Sequence, residues 1–145
     1  MKEAGRALGV DLGSRRIGVA ISDPGGILAS PLRVLERGAD HAADHAALAE
    51  IVAETDARVV VVGLPLSLDG RAGPAARVVT EEIAELRAVL AVPVEDIDER
   101  LTTVAAGRAL RTAGVRGRDQ RRVVDQAAAA VILQSWLDQD RPGSG

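Results

Sequence analysis

Cysteine is absent from this 145-residue chain, which excludes a disulfide framework, a thiolate zinc site and a cysteine nucleophile. Phenylalanine and tyrosine are absent as well, leaving Trp136 as the lone aromatic, so a binding surface built on stacked aromatic rings is excluded. No apolar stretch approaches the roughly 18 residues of a membrane span, and Met1 to Gly5 is polar rather than signal-like. Together these absences predict a soluble cytoplasmic protein with no membrane partner. Lysine occurs once, at Lys2, and the net charge is only −3, so the chain as a whole does not announce a polyanionic partner.

The charge that is present is unevenly placed. Seven arginines (Arg100, Arg108, Arg111, Arg116, Arg118, Arg121 and Arg122) stand against the single acid Asp119 between Arg100 and Arg122, whereas Asp40 to Asp56 carries five acids and no lysine or arginine. The arginine segment is either a solvated helix surface or a local phosphate-binding face; if it binds nucleic acid, phosphate contacts and shape must do the work. With 47% hydrophobic and 27% charged residues, the length suits one domain over 1–145, with a polar tail from about 140.

Alternating and continuous apolar runs give the order of elements. Ala7 to Leu12 and Ile17 to Asp23 read as a hairpin around Gly13, and Ile27 to Glu36 as a third extended segment in which Pro31 requires an edge or a bulge. Asp40 to Glu54 is an amphipathic helix with Leu48, Ile51 and Val52 on one side. Val59 to Gly63 is apolar throughout, as in a strand covered on both faces and parallel to a neighbour. A glycine-punctuated loop from Gly63 to Gly73 leads to Pro74, which suits the first turn of a helix reaching about Leu90. Val92 to Arg100 is a short strand, Thr102 or Thr103 caps a helix stopping near Gly114, and a last helix runs from about Asp119 to Asp138. The order βββαβαβαα predicts an α/β fold with a mixed five-stranded sheet, three strands antiparallel and two parallel, flanked by helices.

Three acids sit where acids are costly. Asp11 lies inside the apolar run Ala7 to Leu12, where an unpaired polar group costs ~2 to 7 kcal/mol on burial and a charge costs more. Glu99 shares strand parity with Ile97, so it faces the core side while Asp98 faces away. Asp125 precedes Ala129, Ile132 and Trp136 by four, seven and eleven residues, which puts it on the apolar stripe of the last helix. Each alone has an ordinary explanation in an arginine ion pair or a helix start; three carboxylates converging at one sheet edge make sense with cations, and oxygen-only ligands select Mg²⁺ or Mn²⁺. His41 and His45, four apart in an acidic helix, invite a zinc reading, but no HExxH glutamate or third ligand is identifiable, so they read as a solvated helix face. Trp136 reads as core.

The segments Asp11-Leu-Gly-Ser-Arg-Arg-Ile-Gly-Val-Ala, Val62-Gly-Leu-Pro-Leu-Ser-Leu-Asp-Gly, Asp98-Glu-Arg-Leu-Thr-Thr and Val124-Asp-Gln-Ala-Ala-Ala resemble, in order and spacing, those of the YqgF/RuvX family, over about Ala7 to Gln139. The resemblance implies a ribonuclease H-like fold related to Holliday-junction resolvases and a nuclease acting on the 16S ribosomal RNA precursor. It also implies Asp11, Glu99 and Asp125 as catalytic, metal-binding acids of a two-metal phosphodiester hydrolysis. Arg16, Arg100, Arg121 and Arg122 are candidate substrate contacts, each with a surface ion pair or a hairpin edge as its alternative.

Other readings remain open at this level. The Asp11 turn also looks like the first phosphate motif of the actin-like ATPases, but 145 residues leave room for one lobe where those need two. A Holliday-junction-type DNA resolvase would need a homodimer to present two sites, whereas RNA end-processing needs one. A non-catalytic nucleic-acid-binding module is the alternative of another class; carboxylate-dependent Mn²⁺ binding separates it from an enzyme.

Overall fold

The structure, a computed structural model, describes residues 5–66, 71, 73–101 and 118–139, with side chains in the last segment described from 127 onward. Strands β1 (Arg6–Leu12), β2 (Arg16–Ser22), β3 (Ala29–Glu36), β4 (Ala57–Leu64) and β5 (Val94–Asp98) form one sheet in the order β3-β2-β1-β4-β5. The β1–β2 and β2–β3 pairs are antiparallel; β4 runs parallel to both β1 and β5. Helices α1 (His41–Thr55) and α2 (Pro74–Val89) precede β4 and β5, and α3 (Arg118–Gln139) comes last among the described elements. The helix expected between Thr102 and Gly114 lies outside the described residues.

Local chemistry sets the boundaries. Pro31 is in the edge strand β3, beside a register break opposite Val19 and Ala20, so both outcomes allowed for a strand proline are realised. Asp40 caps α1 by accepting a hydrogen bond from the Ala43 amide at 2.9 Å, which places it outside the helix. The last strand ends at Asp98 rather than Arg100. The Asp98 carboxylate accepts the Arg100 backbone amide at 2.9 Å, and this local bond turns the chain into a 3-10 turn over Glu99–Leu101.

Period-two alternation splits the sheet between two cores. Leu8, Val10, Leu12, Val60 and Val62 pack toward α1 and α2 with Leu48, Ile51, Ile83 and Leu86. Ala7, Val59, Val61 and Ile97 face α3, where Ala129, Ile132, Leu133 and Trp136 are buried. Covering on both faces explains why β4 is apolar from Val59 onward.

The α3 helix lies unusually close to the sheet because Gly9 and Gly63 have no side chain. A Cβ at Gly9 would stand 2.6 Å from Leu133 Cβ and 2.7 Å from the Ala129 carbonyl oxygen. These are groups that cannot swing aside, so Gly9→Ala must push the helix outward. We expect a loss of about 1 to 3 kcal/mol in urea unfolding from overpacking. An unchanged stability would contradict the observed approach.

Candidate active site

Asp11 and Glu99 are each only 3% exposed and both belong to the α3 face. Asp11 has the parity of Ala7, which packs there. It stands near the C-terminal end of the central strand β1, paired across the hairpin with Gly18. On its other side Val10 pairs with Val62, so Gly63 is the β4 residue next to it. Both neighbouring strands therefore carry a glycine at the level of the carboxylate. Gly63 in turn pairs with Ile97 of β5, two residues before Glu99. An ideal Cβ on Gly63 would lie 3.6 Å from Glu99 Oε2, which fixes that oxygen over the same face. Two strand spacings, about 10 Å, separate the backbones of β1 and β5 at this level, with Gly63 between them.

The direction of α3 follows from its contacts. Trp136 Nε1 donates to Glu95 Oε1 at 3.0 Å, and Glu95 is paired with Val61. Ile132, one turn earlier, lies over Gly63, two residues farther along β4. Going toward its N-terminus, then, the helix travels with the parallel strands to their C-terminal edge. Asp125 is one turn beyond Ala129, about 6 Å along the axis. Its backbone is in α3, on the stripe defined by the buried Ala129, Ile132 and Trp136; its side chain lies outside the described residues, as do those of Arg121 and Arg122.

The remaining candidates sit as follows. Arg16 opens β2, partly buried, in register with Glu36 of β3. Arg100 is held by Asp98, with Nη2 to Oδ2 at 2.6 Å and Nε to Oδ1 at 3.0 Å, so the ion-pair alternative is the observed geometry. The Arg100 hydrogen bond, opposed by slight burial, holds the Asp98 carboxyl below its usual range. Asp98, half-buried, is the last residue of β5 on the face opposite Ile97, and the buried Glu99 follows it in the 3-10 turn. Trp136, 9% exposed, is a core residue.

A second polar cluster, on the α1/α2 side, corrects the reading of the histidines. His41 is exposed, but His45 is only 2% exposed and its Nε2 lies 2.7 Å from Glu82 Oε2. Glu82, also 2% exposed, accepts a bidentate pair from Arg37 Nη1 at 2.7 Å and Nη2 at 2.9 Å. Asp44 Oδ2 takes a further bond from Arg37 Nη1 at 3.1 Å, while Asp44 Oδ1 caps the Gly38 amide at 2.7 Å. Burial alone would raise the Glu82 carboxyl; hydrogen bonds from Arg37 and His45 and the guanidinium charge outweigh it and hold the group below its ordinary 4.5. A signal for this cluster was in the sequence. His45 precedes Leu48 and Val52 by three and seven, and Glu82 follows Val79 by three, so both lie on apolar stripes.

With this geometry in place, comparison with known proteins is specific. A profile of the RuvX family, described as Holliday junction resolvase, matches residues 5–139. The chain is 55% identical over 141 residues to a protein of Mycobacterium leprae (strain TN) named "Putative pre-16S rRNA nuclease", covering 96% of this chain and 76% of that one. A protein of Rhodococcus opacus (strain B4) with the same name is 52% identical over 139 residues, covering 93% and 78%. Among solved structures, RuvC of Thermus thermophilus in complex with Holliday junction substrate superposes with a TM-score of 0.57 at 15% identity, covering 94% of this chain and 96% of that chain. That likeness carries the fold, which is ribonuclease H-like; the family match and the close relatives carry the rest, and the chain belongs to the RuvX family and is a nuclease.

Proposed function

We propose that this nuclease acts on the precursor of 16S ribosomal RNA in the cytoplasm, using Asp11, Glu99 and Asp125 to hold divalent cations. The observation that carries the reading is the burial of Asp11 and Glu99 on one face, at the C-terminal ends of strands separated only by the Gly63 level. Ligands usually bind at that edge of such sheets. Two buried carboxylates on one face offer an all-oxygen donor set, which suits Mg²⁺ or Mn²⁺.

Divalent ions bound there would activate the attacking water and stabilise the leaving 3′ oxygen. The protein's own part is to hold Asp11 on the central strand, Glu99 on the turn after β5 and Asp125 on α3, and to exclude bulk water with the α3 core. No histidine is required as base: among the described residues, His45 is committed to Glu82 on the opposite face.

The RNA assignment follows the names of the relatives at 50% identity and above, and matched substrates test it. Wild-type protein with Mg²⁺ or Mn²⁺ should cut precursor-type RNA in preference to a four-way DNA junction. Cleavage confined to the junction would favour a resolvase, with a homodimer presenting paired sites.

Arg121 and Arg122, in the N-terminal part of α3, and Arg16 at the same sheet edge are the proposed phosphate contacts. Replacing Arg121 and Arg122 together by alanine should flatten the slope of log K against log salt by about one to two units, at about 0.7 to 0.9 per phosphate contact. Altered base preference with an unchanged slope would move the substrate face elsewhere. Among the described residues no helix is long and apolar enough to cross a membrane.

A further inference from the structure

We infer that His41, His45, Glu82 and Glu85 form a second metal site, selective for a borderline ion such as Zn²⁺, that clamps α1 to α2. Donor atoms of His41, His45 and Glu82 all lie within 4.8 Å of one another. His41 Nδ1 is 2.8 Å from Glu85 Oε1, His45 Nε2 is 2.7 Å from Glu82 Oε2, and the two imidazole centroids are 5.4 Å apart. The two histidines, four apart, share one face of α1; the two glutamates, three apart, share the facing side of α2. Imidazole nitrogen and carboxylate oxygen are donor types that Zn²⁺ takes.

Charge favours a dication there. Asp44, Glu82 and Glu85 oppose the single guanidinium of Arg37, so with neutral imidazoles these four groups carry a net charge of minus two. Arg37 bonds both Glu82 oxygens, orienting the carboxylate from behind while Oε2 keeps facing His45. Such an outer partner is what fixes a ligand's rotamer in metal sites. His41 and Glu85, each about half exposed, provide the entry path from solvent. The site is separate from the Asp11 and Glu99 centre. It lies on the opposite side of the sheet and offers imidazole nitrogen, which Mg²⁺ avoids.

The test is Zn²⁺ titration by calorimetry in the presence of excess Mg²⁺, which occupies oxygen-only sites. Wild-type protein and Asp11→Asn should each bind one Zn²⁺ per chain, and thermal unfolding should shift upward with it. His41→Ala, at an exposed first-turn position, should keep the circular dichroism of the wild type and weaken Zn²⁺ binding by about tenfold or more, the scale on which even outer partners of a metal count. Glu85→Gln should weaken it too. No Zn²⁺ binding by the wild type, or binding that survives His41→Ala and disappears in Asp11→Asn, would overturn the inference.

Discussion

Asp11→Asn is expected to lower divalent-dependent cleavage by about a thousandfold or more while preserving the fold, because several kcal/mol of transition-state stabilisation is lost at about 1.4 kcal/mol per tenfold. The asparagine keeps the shape of a residue that is 3% exposed and removes the charge that fixes a cation. Added Mn²⁺ should stabilise the wild type more than the variant. Glu99→Gln should behave alike. Asp98→Asn should be far milder, since Asp98 faces the other side of β5 and serves Arg100. Equal inactivation by Asp98→Asn would mean that the reacting centre lies on the wrong face in this account.

The largest loss of stability should come from Glu82→Ala. That change removes the bidentate partner of Arg37 and the partner of His45 from a site where Glu82 is 2% exposed. Breaking a buried pair from one side costs about 3 to 5 kcal/mol; the Asp44 and Gly13 contacts that Arg37 retains place this case near 3. For a chain of this size that lowers Tm by roughly 6 to 12 °C. The pH dependence has a definite sign. A carboxyl whose folded-state pKa is depressed stabilises the fold above its ordinary 4.5 and loses that contribution as pH falls below it toward the folded value. The wild type should therefore lose stability more steeply than Glu82→Ala in that acid window. A variant within about 1 kcal/mol of the wild type in urea unfolding would show that the cluster is not a structural keystone.

Much of this was legible in the chain because the two regular periods are strict. The apolar run Val59 to Val62 gave away a strand covered on both faces, and β4 is indeed parallel to both of its neighbours. Glu99 is buried and Asp98 half-buried, the order that parity led one to expect, although Glu99 lies in the turn after the strand and not in it. The strand boundary at Arg100 was missed because a side-chain bond from Asp98 to the Arg100 amide ends the strand, and such local competition leaves no periodic trace. The stripe argument applied to Asp125 was not applied to His45, whose spacing to Leu48 and Val52 is equally apolar. His45 looked solvated because its partner, Glu82, lies 37 residues away in the sequence, and pairing at that range is a property of the fold. Gly9 and Gly63 read as turn or strand glycines; their work, admitting α3, shows only once the helix is docked.

Electron paramagnetic resonance of free Mn²⁺ titrated into the wild type, Asp11→Asn and Glu99→Gln tests the central claim most directly, since it reads the cation at the acids without any choice of substrate. The account predicts Mn²⁺ binding by the wild type that each of the two substitutions weakens strongly and that His41→Ala leaves intact. Mn²⁺ binding unchanged in both Asp11→Asn and Glu99→Gln would contradict it.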